Sequence, residues 1–369
     1  MSELNETPSA NRVRIAFFGL RNAGKSTLVN AFCGQEVSIV NGTPGTTTDP
    51  VSKAMELLPL GPCLITDTAG LDDEGELGEQ RVAKTLAVLD ATDVAVWVGD
   101  GFDRWRDRFR VPVIEFARGD SVEALKAKIA AIRLDEQAPG LLDGLVARGD
   151  RVVCVCPIDS SAPKGRLILP QVQLLRACLD LGAVALVCQP DELAGVLAAT
   201  PAVALVVTDS QAFGKVRDIV AASALPSVRL TSFSILFARQ KGDLEEFKNG
   251  LGAIRALKEG DTVIISEACT HRRQCEDIGS VKIPKAVMKL SGRSNLNFIF
   301  SSGATFNPDT MRSLGTHAAL IVHCGGCMLT RRQLLDRIAK AKAAHVPIVN
   351  YGIVLAAASG IGVEGVCAI

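Results

Sequence analysis

Two sets of residues have the types and spacing for chemistry. The first is Gly19-Leu20-Arg21-Asn22-Ala23-Gly24-Lys25-Ser26, which satisfies the pattern G-x-x-x-x-G-K-S/T. Its glycines let backbone N–H groups turn inward around phosphate oxygens. A helix starting at the end of the loop points its positive end at the same anion. Lys25 is spaced to reach the β- and γ-phosphates, and the Ser26 hydroxyl to complete a Mg²⁺ shell. Thr27 joins Gly19, Asn22, Ala23 and Gly24 as a nucleotide-binding candidate. Further on, Asp67-Thr68-Ala69-Gly70 ends an apolar run. Asp67 suits second-shell Mg²⁺ binding, and the Gly70 N–H suits the γ-phosphate.

The second set is Cys269-Thr270-His271, followed by His323-Cys324-Gly325-Gly326-Cys327. Cys-x-x-Cys puts two thiolates on one tight turn, and the paired glycines leave the backbone free to approach an inorganic group. Three thiolates can hold a [4Fe-4S] cube by three corners. Zinc in a Cys₂His₂ or Cys₃His site fits the same ligand types, and a redox dithiol at Cys324 and Cys327 fits the spacing. Residue chemistry leaves all three open.

Elements must hold these residues in place. Val13–Phe18 reads as a buried strand, residues 26–33 as a helix, Cys63–Thr66 as a strand, residues 79–89 as a helix and Asp93–Val98 as a strand. Residues 111–116 and 121–132 read as one more strand and a last helix, and a Pro139-containing loop as a linker. Alternation of strand with helix predicts an α/β fold with a parallel sheet and crossover helices. A second alternating unit begins at Arg151, with strands at 152–157, 183–188, 202–207 and 227–230 and helices at 169–181 and 192–199. After Lys241, strands at 262–266, 297–301 and 318–323 and a helix at 330–344 make a third region. The expected organisation is three α/β domains: residues 12–137 around the phosphate loop, 145–238 in the middle, and 239–369 around the cysteines.

At 369 residues the chain is too long for one ordinary core. Lys plus Arg and Asp plus Glu number 40 each and aromatics make up 4%. Such a chain has neither the field nor the stacking surfaces expected of a nucleic-acid or membrane binder. Eleven cysteines without an apolar secretory segment point to a reducing, cytoplasmic setting, where clustered thiols bind metal or do redox work. Cys154, Cys156, Cys178 and Cys188 sit in apolar runs and read as core residues.

Resemblance adds to this. Gly45-Thr46-Thr47-Thr48-Asp49 resembles the switch segment of Era- and TrmE-like GTPases, which implies that Thr47 reaches Mg²⁺ when the γ-phosphate is present. Asn22 resembles the asparagine that binds K⁺ in potassium-activated GTPases of that group. Leu71 stands where Ras-type proteins carry a water-orienting glutamine, and Asp72, Asp73, Glu74 and Glu76 are the nearby substitutes. The guanine-reading Asn-Lys-x-Asp is absent from the sequence, and the stretch from Val98 to Val111 is too short for the strand and helix that carry it.

Cys269-Thr-His-Arg-Arg-Gln-Cys-Glu-Asp-Ile-Gly, the Val-Lys-Ile-Pro after it, His323-Cys-Gly-Gly-Cys-Met, the run from Pro157 to Gln173, and Asn350-Tyr-Gly are together similar to the [FeFe]-hydrogenase maturation GTPase family. The likeness runs over nearly the whole chain. It implies GTP or GDP with Mg²⁺ in the first domain and a dimer through the middle one. It also implies a [4Fe-4S] cluster on Cys269, Cys324 and Cys327, with His271, His323 and Glu276 as candidates for a fourth ligand or for support. The implied role is scaffold or carrier of a diiron precursor, with apo-[FeFe]-hydrogenase and radical-SAM maturases as partners. The lost base motif also admits a non-hydrolysing scaffold with a vestigial loop, and the switch segments admit an RNA-associated GTPase.

Overall fold

The computed structural model describes residues 11–34, 50–132, 139–158, 165, 167–223, 225, 228–268, 278–302, 318–327 and 329–360, without the side chain of Glu76. The chain divides into two compact units, Met1–Glu136 and Gln137–Ile369.

In the first unit β1 (Val13–Gly19), β3 (Gly61–Asp67), β4 (Val94–Val98) and β5 (Val113–Phe116) are parallel, and β2 (Val51–Leu57) runs antiparallel on the β3 edge, giving the order β2-β3-β1-β4-β5. Helices α1 (Lys25–Cys33), α2 (Glu76–Asp90) and α3 (Val122–Ala130) connect them. Both faces of the sheet are covered, which is why its central strands are mostly apolar without a two-residue alternation. Ile15, Phe17, Val94 and Val96 pack with Leu28, Val29, Phe32, Leu125 and Ile129 on one face. Ala16, Phe18, Ala95 and Trp97 face the other way.

The short connection from β4 to β5 shows how the sheet does without the missing strand–helix unit. Two 3₁₀ turns, Phe102–Arg104 and Arg106–Arg108, bridge the gap, and β5 pairs directly with β4. Phe109 lies edge-on to Phe18, Trp97 and Phe102, with centroids 5.2, 5.9 and 5.6 Å apart. Trp97, fully buried, donates Nε1–H to the Asp100 carbonyl at 3.2 Å. This aromatic cap covers sheet surface that would otherwise meet water.

The second unit holds two wholly parallel four-stranded sheets. In one, β6 (Arg151–Val155), β7 (Val184–Cys188), β8 (Val203–Thr208) and β9 (Arg229–Ser232) lie in the order β7-β6-β8-β9. Its helices are α4 (Leu169–Leu181), α5 (Leu193–Ala199) and α6 (Phe213–Ala222). Next come α7 (Phe233–Lys241) and α8 (Leu244–Ile254). The other sheet follows, with β10 (Thr262–Glu267), β11 (Asn297–Ser302), β12 (Ala318–His323) and β13 (Ile348–Asn350) in the order β11-β10-β12-β13. Its helices are α9 (Ile283–Ser291), α10 (Arg331–Ala343) and α11 (Tyr351–Ala358). Helix α7 serves both cores: Phe233, Leu236 and Phe237 pack with the β6 sheet, Ile235 and Ala238 with the β10 sheet. No helix among the described residues is long and apolar enough to cross a membrane.

Candidate functional site

The phosphate loop runs from the end of β1 into α1. Register pairs Phe17 with Asp67 and Gly19 with Val98, so β1, β3 and β4 end together and deliver Gly19, Asp67 and the loop to one edge. Gly24 turns the chain into the helix at φ 90°, and the first N–H groups of α1 carry no side-chain cap. An uncapped helix N-terminus under a loop is an anion site by construction. Asn22 takes a left-handed φ of 61°, Ala23 is half-buried, and Thr27 is exposed on the first turn of α1.

Lys25 is folded back, its ammonium donating to the carbonyls of Leu20 (2.8 Å) and Gly19 (3.3 Å). Burial lowers its pKa, against the pull of Asp67, Asp72 and Asp73. Ser26 donates its hydroxyl to Asp67 Oδ2 at 2.6 Å, and the other oxygen of this wholly buried carboxylate has no hydrogen-bond partner. An unsatisfied buried carboxylate oxygen is costly, and a hydrated Mg²⁺ beside Ser26 is the ligand that would satisfy it. The residues present therefore fit the metal.

Gly70 fits because it has no side chain: a Cβ there would stand 2.8 Å from the Arg21 nitrogen and 2.9 Å from its Cα. The next acidic residue supplies a contact that spacing did not foretell. Asp72 accepts the Arg21 N–H at 2.5 Å, so a carboxylate holds a donor of the phosphate loop. Asp73 lies 3.7 Å from both Arg21 and Arg81. Thr47 lies outside the described residues.

The cysteine site also forms at strand ends. Ser266 of β10 pairs with His323 of β12, so the chain leaves both strands at the same edge. Cys324 N–H donates to the Ser266 carbonyl at 2.9 Å, and Ala268 N–H donates to Cys324 Sγ at 3.2 Å. Neither Cys324 nor Cys327 is in a disulfide, and burial pushes the Cys324 pKa up. Cys269, Cys275, His271 and Glu276 lie outside the described residues. The thiol pair, with an N–H already aimed at one sulfur and β10 ending beside it, is a donor set that fits an iron–sulfur cluster.

His323 needs correction as a candidate fourth ligand. It is fully buried, with Nδ1 2.7 Å from the Cys324 carbonyl oxygen and Nε2 3.0 Å from Arg337 Nη1. Arg337 can only donate, so Nε2 accepts and Nδ1 carries the proton given to Cys324. Burial, helped by Arg337, pushes the pKa down to about 3. Both ring nitrogens are engaged with protein, so the histidine braces the turn instead of facing a metal. Asn350 caps α11 through the Gly352 N–H (2.7 Å) and reaches the Cys324 carbonyl at 3.4 Å.

Sequence reading missed two cations here. Lys241, 5% exposed, donates to the carbonyls of Cys327 and Leu329. Arg337, 3% exposed, sits on the apolar stripe Leu334, Arg337, Ile338, Ala341 of α10. An arginine at a core position of that helical stripe was the available signal.

The fold and the first site define a phosphate-loop GTPase domain joined to a cysteine-bearing α/β unit. Comparison with known families agrees. Residues 14–133 match the 50S ribosome-binding GTPase model, residues 141–242 the hydrogen maturase F dimerization domain, and residues 245–364 its tetramerization domain. The last two together take in more than half of the chain, and the chain belongs to the hydrogen maturase F family. Relatives of the GTPase domain include tRNA modification GTPase MnmE of Phenylobacterium zucineum, 44% identical over 89 residues (24% of this chain, 20% of that protein). GTPase Der of Wolinella succinogenes is 38% identical over 103 residues (27% and 21%). The chain thus spans about a fifth of the length of these relatives. A crystal structure of Aquifex aeolicus Era bound to GDP and AlF4⁻ is 16% identical with a TM-score of 0.26, covering 79% of this chain and 92% of that one. So loose a superposition adds nothing to the topology above.

Proposed function

We propose that the chain is a GTP-binding and GTP-hydrolysing maturation factor for [FeFe]-hydrogenase. It acts as scaffold or carrier for the diiron precursor passed to the apo-enzyme, with radical-SAM maturases as further partners. The observation that carries this is the joining, in one chain of the maturase family, of a phosphate loop with an unsatisfied buried carboxylate and a Cys-x-x-Cys turn without a disulfide at the end of a parallel sheet.

Nucleotide entry requires two exchanges. Lys25 leaves the Gly19 and Leu20 carbonyls for the β- and γ-phosphates, and Asp72 gives up the Arg21 N–H. Ser26 and Thr47 would hold Mg²⁺ with Asp67 behind them, and the Gly70 N–H would serve the γ-phosphate. K⁺ beside Asn22 would supply positive charge to the transition state. Cys269, Cys324 and Cys327 would hold a [4Fe-4S] cluster, which would supply redox-active iron at that turn; Ala268 N–H and His323 orient the Cys324 end of the set. His271 and Glu276 are the remaining fourth-ligand candidates. Hydrolysis works as a timer, biasing partner contacts through the segments around Thr47 and Gly70.

A homodimer through the middle sheet is part of the proposal. β7 is an edge strand with Val184 and Val187 half exposed, and Val172 and Leu179 are exposed on the neighbouring α4. An unpaired apolar edge of this kind is suited to pairing with a second copy. The domain limits proposed are 12–137, 145–238 and 239–369, in a cytoplasmic protein.

The test is in vitro maturation. The anaerobically reconstituted chain, loaded in the presence of the radical-SAM maturases, is mixed with apo-hydrogenase, and hydrogen evolution is measured with and without GTP. No activation under either condition sinks the proposal. Activation indifferent to GTP and to Lys25→Ala leaves a scaffold with a vestigial loop.

A further inference from the structure

Helix α7 follows β9 without a linker. Ser232 ends the strand and caps the helix, its hydroxyl accepting the Ile235 N–H at 3.3 Å and standing 3.3 Å from Ser210 Oγ just past β8. The first turn of α7 is thereby fixed to the middle sheet. Two residues on, Ser234 lies against two glycines of the cysteine region, Gly325 inside the Cys324–Cys327 turn and Gly352 on the first turn of α11. A Cβ at Gly325 would stand 3.1 Å from Ser234 Oγ and 3.5 Å from Ser234 Cβ. A Cβ at Gly352 would stand 2.5 Å from Ser234 Cβ, and 3.1 Å from both Ser232 Oγ and Asn350 Oδ1.

Neither glycine is required by its backbone. The left-handed position in the turn belongs to Gly326, at φ 64°, and Gly325 and Gly352 have no positive φ. What both provide is room for Ser234. Gly352 follows Asn350, whose side chain reaches the Cys324 carbonyl at 3.4 Å, so a shifted α11 would carry that contact with it. At its far end α7 holds the same segment again, through the Lys241 ammonium on the Cys327 and Leu329 carbonyls. One helix thus meets the cysteine turn from both of its ends, and the middle sheet sets where that helix lies. Close-packed interiors pass on a displacement instead of absorbing it.

We propose that Ser234 is a positioning residue for the group held at the Cys324–Cys327 turn. Seated against Gly325 and Gly352, it sets the distance of the turn from the middle sheet, so the middle domain forms part of the seat as well as carrying the proposed dimer edge. This rests on the cluster reading given above. If the glycines served only the folding of the turn, or the approach of its backbone to the bound group, no change at Ser234 would relieve their replacement.

The experiment uses the full chain, reconstituted anaerobically with iron and sulfide. Iron and sulfide per chain give occupancy, and the electron paramagnetic resonance signal of the dithionite-reduced cluster reports its surroundings. Circular dichroism checks the fold of each variant. Gly325→Ala is expected to lower occupancy about threefold and Gly352→Ala about tenfold, as overpacking does. The relief is specific to the atom removed. Ser234→Ala takes away only the hydroxyl, so it returns Gly325→Ala to within about twofold of wild type and leaves Gly352→Ala unrelieved. Ser234→Gly takes away the Cβ as well and raises the occupancy of Gly352→Ala about threefold. The wild-type resonance signal returns with the occupancy. Wild-type loading in both alanine variants, or losses that the Ser234 changes do not relieve, overturns the proposal. If Gly352→Ala does not fold, Gly325→Ala and its relief by Ser234→Ala decide alone. A wild-type chain that takes up no cluster overturns the cluster reading and this proposal with it, whereas a loaded wild type with unrelieved variants overturns this proposal only.

Discussion

The phosphate loop and the cysteine turn are built in the same place on different sheets, at the carboxyl ends of parallel strands, yet their polar groups are held in opposite ways. At the phosphate loop the polar groups are held by stand-ins. Lys25 rests on loop carbonyls, Asp72 holds the Arg21 N–H, and one oxygen of Asp67 has no partner. Those bonds must break for nucleotide to enter, so the site is suited to cycling. At the cysteine turn the supporting groups have permanent partners: His323 is tied at both ring nitrogens, and Lys241 and Arg337 are tied beneath it. Among the described residues the groups around Cys324 are thus braced by protein, the arrangement that the proposed retention of a bound group calls for. Exchange favours bonds that are easily replaced, and retention favours bonds that stay.

Crossed substitutions break this comparison most sharply. Replacing both Cys324 and Cys327 by serine is expected to abolish iron loading while leaving GTP turnover unchanged. Lys25→Ala is expected to weaken GDP binding about a hundredfold, as lost charge-assisted bonds do, and to leave iron per chain at its wild-type value. Iron analysis and a fluorescent-GDP titration on the same preparations check both; either variant damaging both sites would mean they are not separate devices.

Trp97→Ala is expected to cost the first unit about 3–5 kcal/mol, because it empties the centre of the aromatic cap, with no loss of iron uptake. Chemical denaturation followed by nucleotide protection reads it. Thr330→Ala removes the reciprocal cap of α10, in which Thr330 Oγ1 accepts the Gln333 N–H at 3.3 Å and Gln333 Oε1 accepts the Thr330 N–H at 2.9 Å. The expected cost is about 1 kcal/mol in the second unit alone, seen as a shift in the denaturation midpoint. Smallest is Asp72→Asn. It weakens the stand-in on Arg21, and GDP affinity is expected to rise about threefold. A fall would mean that Asp72 helps bind nucleotide instead of competing with it. With ADP as competitor, the same titration asks whether the sheet closed over by the aromatic cap still selects guanine.

Much of the fold was legible because its central strands are buried on both faces. Ile15–Phe18 and Val94–Val98 are continuous apolar runs, bounded by a charged residue on one side and glycine on the other. Strand β2 escaped notice because most of its residues are exposed and its polar side chains break any alternation. β5 begins at Val113, two residues later than expected: Pro112 has no N–H to give, and Val111 turns into the aromatic cluster. β9 lies at Arg229–Ser232, two residues beyond its expected start, and Ser232 at its end becomes the cap of α7.

The sequence by itself determined the phosphate loop, because that chemistry is carried by neighbours in the chain and by backbone N–H groups that glycines free. It likewise determined the thiol pair, whose spacing is a single turn. Only the tertiary structure decided what surrounds them: that His323 spends both nitrogens on protein, that Lys241 and Arg337 come from separate helices to lie under one turn, and that Asp72 closes on Arg21 from 51 residues away. Those contacts join distant segments through packing, and packing leaves no pattern at short range.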